Sequence, residues 1–150
     1  VLAVPKGLNL ADISSYNSLS QKYQNLMRSN IVFEFGSQHK KRIEDWFKKN
    51  INTKKVIAHT RSYEVALSMV EAELGVVVLP ALTAMIGLDK SYDVNLYQTD
   101  LLDRKLVSLT PKQYESLDPV KSFISCLVQA GKKLNLPTVM STPDILKKVS

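Results

Sequence analysis

An α/β fold follows from three features of the 150 residues. Two stretches join a short β-branched or aromatic run to an amphipathic helical pattern, "IVFEFGSQHKKRIEDWF" at 31–47 and "KKVIAHTRSYEVALSMVEAEL" at 54–74. A β-α unit that repeats requires a sheet with helices laid against it. The run "VVVL" at 76–79 lacks polar alternation, the pattern of a strand covered on both faces in a parallel sheet. Composition agrees: 45% hydrophobic and 23% charged residues, with five glycines and six prolines, describe a globular chain and exclude a disordered or collagenous one.

Element by element, "VLAV" before Pro5 reads as a strand, and "KGLNLADISS" as a loop. Leu19, Tyr23, Leu26 and Met27 recur at helical spacing, which predicts a helix over 18–28 capped by Asn17 or Ser18. "IVFEF" at 31–35 is a strand, Gly36 and Ser37 supply a tight turn and an N-cap, and Ile43, Trp46 and Phe47 form the apolar face of the helix that follows. "KKVIAHT" at 54–60 is the next strand. Ser62 caps a helix carrying Val65, Ala66, Met69, Val70 and Ala72 to about Leu74, and Gly75 offers the positive φ with which chains leave helices. Beyond Pro80, "ALTAMIGL" predicts a short helix ending near Gly87, while "VNLYQTD" at 94–100 and "KLVSLT" at 105–110 predict strands. Asp118 before Pro119 opens a helix to about Leu134 whose buried face is Val120, Phe123, Ile124, Leu127 and Val128. Thr142 before Pro143 starts a last short apolar segment, a docking helix or a loose end.

No apolar run reaches the roughly 20 residues of a membrane span, and the opening "VLAVP" lacks the basic, apolar and small-residue order of an export signal. A cytoplasmic protein is therefore expected. Val1 begins an apolar strand with no initiator methionine, so further sequence upstream is expected too. The single Cys126 excludes an internal disulfide and, among Phe123, Ile124 and Leu127, is expected to be packed. The net charge of +6 is spread in pairs and one "KKR", which fits solvated helix surfaces better than a nucleic-acid stripe and favours anionic ligands.

With only His39, His59 and Cys126 as soft ligands, no metal motif forms, and no cofactor is expected. GxGxxG, GxxxxGK[ST] and GxSxG are all absent, so the chain lacks the sequence signals of nucleotide binding and of the hydrolase elbow. Chemistry concentrates at the two strand-to-helix junctions, "FGSQ" at 35–38 and "HTRS" at 59–62. Helix N-termini carry partial positive charge, and open α/β sheets bind ligands at the carboxyl edges of their strands. Arg61 can grip a carboxylate, sulfate or phosphate in two parallel hydrogen bonds. The ligand-binding candidates are Phe35, Gly36, Ser37, Thr60, Arg61, Ser62 and Pro80; no catalytic residue is assigned.

The stretch "SYEVALSMVEAELGVVVLP" resembles the signature of the effector-binding domain of LysR-type transcriptional regulators. "VLAVPKGLNLA", "IVFEFGSQHKKRIEDWF" and "DPVKSFISCL" resemble further segments of that domain, in the same order, over most of residues 1–135. Glu73 stands where the family has glycine, and Leu8 and Asn9 where it has His-Pro, in what reads as a solvent loop. The resemblance implies a type 2 periplasmic-binding-protein-like fold, two α/β lobes joined by two crossing strands, with the first lobe incomplete. On that reading, 1–7 is a crossing strand and hinge, 8–75 the second lobe, 76–135 the return strand and later part of the first lobe, and 136–150 a C-terminal tail. It implies an effector-sensing, dimerising module for a small anionic ligand, with no enzymatic activity and DNA contacted only through an absent N-terminal domain. The missing strands would leave exposed apolar faces. The rival readings are a transporter's solute-binding protein and an enzyme on a similar two-lobed frame.

Overall fold

The structure, a computed structural model, describes residues 1–34, 36–51, 55–86, 90–103 and 105–147, and of residues 37–39, 86, 90 and 91 only the backbone. In chain order the elements are β1 (Leu2–Pro5), α1 (Gln21–Arg28), β2 (Ser29–Phe33), α2 (Ser37–Asn50), β3 (Lys55–Thr60), α3 (Tyr63–Glu71), β4 (Val77–Val78), β5 (Met85–Ile86), β6 (Lys90–Ser91), β7 (Val94–Tyr97) and α4 (Asp118–Lys133). Among the described residues, short 3-10 turns lie at 16–18, 81–84, 112–114 and 144–146. The molecule is mixed α/β. Its contacts divide it into two compact units, one of residues 1–101 with 137–150, the other of 102–136.

In the larger unit β1 is the middle strand of an antiparallel sheet, β4-β1-β7. Leu2 faces Val78 and Ala3 faces Val77 on one side, and Leu2 to Pro5 face Tyr97 to Val94 on the other. Val1 and Leu79 extend the ladder with reciprocal bonds of 2.8 and 3.0 Å. The second sheet is parallel, β2 beside β3, and Asn30 of β2 bridges Val76 on its other side. The chain thus belongs to one sheet at Val76 and to the other at Val77.

This explains the non-alternating "VVVL". Val76 and Val78 point into one apolar cluster, with Leu26, Ile43, Trp46 and Phe47, and Val77 and Leu79 point into another, with Ile31, Ala66, Leu67 and Val70. All four side chains are at most 4% exposed, so each face of the run is covered. The expected both-face burial is found, although β4 itself pairs antiparallel with β1.

Several helix ends differ from the sequence reading. The cap of α1 is Ser20, whose hydroxyl accepts from the Tyr23 N–H at 3.5 Å, and neither Asn17 nor Ser18 takes that place. Gly36 is the N-cap of α2, with Ser37 its first residue. Helix α3 stops at Glu71, because a left-handed residue follows: Glu73 has φ 56°. The Glu73 N–H donates to the Val70 carbonyl at 2.9 Å and the Leu74 N–H to that of Met69 at 3.0 Å, the paired bonds of a Schellman turn. The positive φ expected at Gly75 is therefore carried by Glu73, and Gly75 serves a different need. A Cβ on it would overlap the Ser29 carbonyl oxygen and stand 3.0 Å from Ile57 Cδ1.

The loop after β1 is also more than solvent loop. Leu8 and Leu10 are buried in the core, while the Tyr97 hydroxyl accepts from the Leu10 N–H at 2.7 Å and donates to Asn9 Oδ1 at 2.9 Å. Leucine at position 8 is an apolar plug, and Asn9 ties the loop to β7.

In the smaller unit the expected strand at 105–110 does not form among the described residues. Leu106 and Leu109 are 89% and 90% exposed. Helix α4 forms over the expected span, starting at Asp118 with Leu117 as its cap, but its apolar stripe is not buried. Phe123, Leu127 and Val128 are exposed, Val120 and Ile124 only half-buried, and Cys126 is exposed rather than packed. The physical reason is that residues 102–136 hold one helix and one 3-10 turn, with no strand among the described residues to lie beneath the stripe. The segment after Thr142 is a 3-10 turn at Asp144–Leu146, with Leu146 buried in the core of the larger unit.

Candidate functional site

Parallel pairing brings the two sequence-predicted junctions to one sheet edge. Val32 lies opposite His59 and Phe33 opposite Thr60, and the last rung is the Glu34 N–H donating to the Thr60 carbonyl at 2.8 Å. Helices α2 and α3 therefore both follow the carboxyl ends of adjacent strands, α2 packing into one apolar cluster and α3 into the other, and open α/β sheets place ligands at that edge.

The two starts are built differently. At α3 the Ser62 hydroxyl accepts from the Val65 N–H at 3.3 Å, while Thr60 Oγ1 accepts from the Ser62 N–H and donates to the Ser62 carbonyl, both at 3.1 Å. Thr60 is buried. These hydroxyls hold the turn, so the residue left to meet a ligand is Arg61, which is exposed between them. At α2 the cap is Gly36, at φ 60° and ψ 136°, a conformation a Cβ disfavours, and no side chain among the described residues caps the helix. A helix start of this kind has N–H groups without intrahelical partners and carries partial positive charge. Ser37 stands at this helix start with its side chain outside the described residues, as is all of Phe35.

Residues not assigned to the site from sequence also lie here. The Glu34 carboxylate is 3.0 Å from His59 Nδ1 and 3.5 Å from Lys40 Nζ. Behind the junctions Phe33 stacks on Tyr63, with ring centroids 3.9 Å apart and planes at 15°. The polar Glu34 at the end of an otherwise apolar "IVF" run was the available signal, since a charge there sits at the strand's carboxyl edge. Glu64 adds a second carboxylate: the hydrogen bond from the Ser62 hydroxyl holds it below the usual range, with its own backbone N–H adding to the effect.

Taken together, an uncapped helix start and the Arg61 guanidinium favour an anion, and Glu34 and Glu64 flank it with negative charge. Pro80 stands apart from this hydrogen-bonded set. It closes the return strand and opens the 3-10 turn at Ala81–Ala84, its carbonyl accepting from the Thr83 N–H at 3.0 Å and hydroxyl at 2.6 Å, and that turn packs on α3. Among the described residues no cluster of His, Cys, Asp or Glu is placed to hold a metal ion, and no helix is long and apolar enough to cross a membrane.

No family model matches the chain, and neither a curated protein nor a solved structure does.

Proposed function

We propose that this chain is the effector-sensing part of a LysR-type transcriptional regulator, binding a small anion at the paired starts of α2 and α3. The observation that carries the reading is the double membership of the return segment. Val76 sits in the parallel sheet beside Asn30, and the next residue, Val77, sits in the antiparallel sheet opposite Ala3. Two adjacent antiparallel segments, 1–5 and 76–79, are what a chain passing twice between two lobes needs. The exposed stripe of α4 and the exposed Leu106 and Leu109 support the incomplete-first-lobe part of the reading, since such faces ordinarily lie under further strands.

On this reading a ligand acts by differential affinity. It binds one arrangement of the regulator more tightly and shifts the population of cytoplasmic homo-oligomers bound to DNA, with DNA read by a separate domain. A thermal-shift screen of small carboxylates, sulfonates, sulfate and phosphate tests it. The expected result is at least one anion that raises the melting temperature of the wild type but not of Arg61→Ala. Anions that stabilise both proteins equally would remove Arg61 from the site.

A further inference from the structure

The segment that follows the smaller unit is built as a strap across α2 and β7, within the larger unit. The Met140 N–H donates to the Leu96 carbonyl at 2.8 Å and the Met140 carbonyl accepts from the Gln98 N–H at 2.9 Å, so residue 140 adds a one-residue parallel bridge to the free edge of β7. Pro143 and Leu146 are buried, Leu146 in the cluster that contains Trp46 and Phe47 of α2. The rest of 137–147 is half-buried or exposed.

Between the strap, the end of β7 and α2 lies a recess of about 210 Å³, bordered by Trp46, Lys49, Asn50, Asp100, Thr142 and Leu146, among others. Its wall is mostly apolar and carries one polar cluster: the Trp46 indole N–H donates to Asp100 Oδ1 at 2.6 Å, and Lys49 pairs with the other Asp100 oxygen. Strap and Asp100 thus hold the C-terminal end of α2. The N-terminal end of the same helix, 14 residues and about 20 Å away, is the uncapped start at Gly36. A straight helix transmits a tilt at one end to the other.

We propose that residues 138–147 are a releasable strap, docked on β7 and α2 in the structure, whose release lets α2 shift and changes the anion affinity of its N-terminal junction. The anchoring is thin enough for release. Among the described residues, two backbone hydrogen bonds to β7, two buried side chains and the partly buried Val139, Met140 and Ile145 hold ten residues whose ordering costs entropy, whereas the β1–β7 ladder beside it pairs four residues in register. The strap follows the 35-residue smaller unit directly, so its docking is open to influence from that unit through the chain. The regulatory half of this proposal rests on the junctions being the ligand site; the release of the strap does not.

Native-state hydrogen exchange on the unaltered 150-residue protein tests release, and sulfate titration tests regulation. The Met140 and Gln98 amides are expected to exchange by local opening, faster than the β1–β7 amides; equal protection would overturn the strap. Leu146→Ser is expected to red-shift the emission of Trp46, the single tryptophan, to speed exchange over 46–50, and to change sulfate affinity about fivefold or more. A released strap with unchanged exchange in α2 and unchanged sulfate affinity would overturn the link between them. Should Leu146→Ser fail to fold, the wild-type exchange still decides release. Arg61→Ala separates the two readings: sulfate binding that ignores Arg61, or no sulfate binding at all, removes the junction site and the regulatory half with it, while the exchange result stands alone.

Discussion

Gly75 sits where the Ser29 carbonyl oxygen leaves no room for a Cβ. The Val76 N–H donates to that same oxygen at 2.8 Å and the Ile31 N–H to the Val76 carbonyl at 2.9 Å, so the close approach is how the chain, fresh from α3, enters the parallel sheet for one residue before leaving it. Gly75→Ala should cost on the order of 3 kcal/mol, because backbone rather than a flexible side chain must move. Urea unfolding measures it, and an unchanged midpoint would show that the hand-over is looser than described.

Glu73 is a second place where the backbone asks for glycine. It occupies the left-handed position of the Schellman turn at φ 56° and pairs with Lys22. Both side chains are more than a third exposed, so the pair contributes little and less in salt. Glu73→Gly relieves the left-handed strain but gives the unfolded chain more freedom, for an expected net gain of about 0.5 kcal/mol. The gain should be larger at about 1 M salt than at low salt, and thermal melts at both ionic strengths read the difference.

Asn30 is fully buried in β2, and neither its amide nitrogen nor its oxygen has a hydrogen-bond partner among the described residues. Its neighbours across the sheet are the apolar Val76 and Val56. Replacing a buried, unpaired amide with a similar apolar volume removes a penalty of roughly 1–3 kcal/mol. Asn30→Leu is therefore expected to raise the melting temperature by a few degrees; a drop would mean that the amide does find a partner in solution, such as a bound water.

Much of this architecture is legible in the sequence, and where it is not, the reason is local. The β-α repeat and the buried "VVVL" follow from periodicity because each element buries one continuous face. Ser62 was identifiable as a cap because a hydroxyl before an apolar stripe has few other uses. Glycine is the usual occupant of the αL position, which points to Gly75, yet Glu73 holds it, since the Schellman turn is set by where α3 stops. Leu8 and Leu10 were invisible as core because a loop has no period. The stripe of α4 has the spacing of a buried face, yet within residues 102–136 there is no strand among the described residues to bury it. At the site, the sequence marked the two junctions but not Glu34, whose role depends on the register that sets it beside His59 and Lys40.

Asp100 makes the anchoring of α2 sensitive to acid. The hydrogen bond from Lys49 holds its carboxyl below the ordinary 3.8, partial burial opposes this, and the Trp46 indole assists. A carboxylate depressed in the folded state stabilises it above the unfolded value, and that contribution fades as pH falls through the lowered one. Trp46 emission should stay constant from neutral pH down to the carboxylate range and change only below it. Lys49→Ala is expected to move the change to higher pH, which a fluorescence titration of both proteins would show.

The central claim, that small anions are held at the sheet edge where α2 and α3 begin, is tested most directly by mapping amide chemical shifts while sulfate is added to the labelled wild-type chain. Saturating shifts concentrated at Gly36, Arg61 and Ser62, and lost in Arg61→Ala, are the predicted result. Shifts that gather elsewhere, or that persist unchanged without the guanidinium, would contradict it.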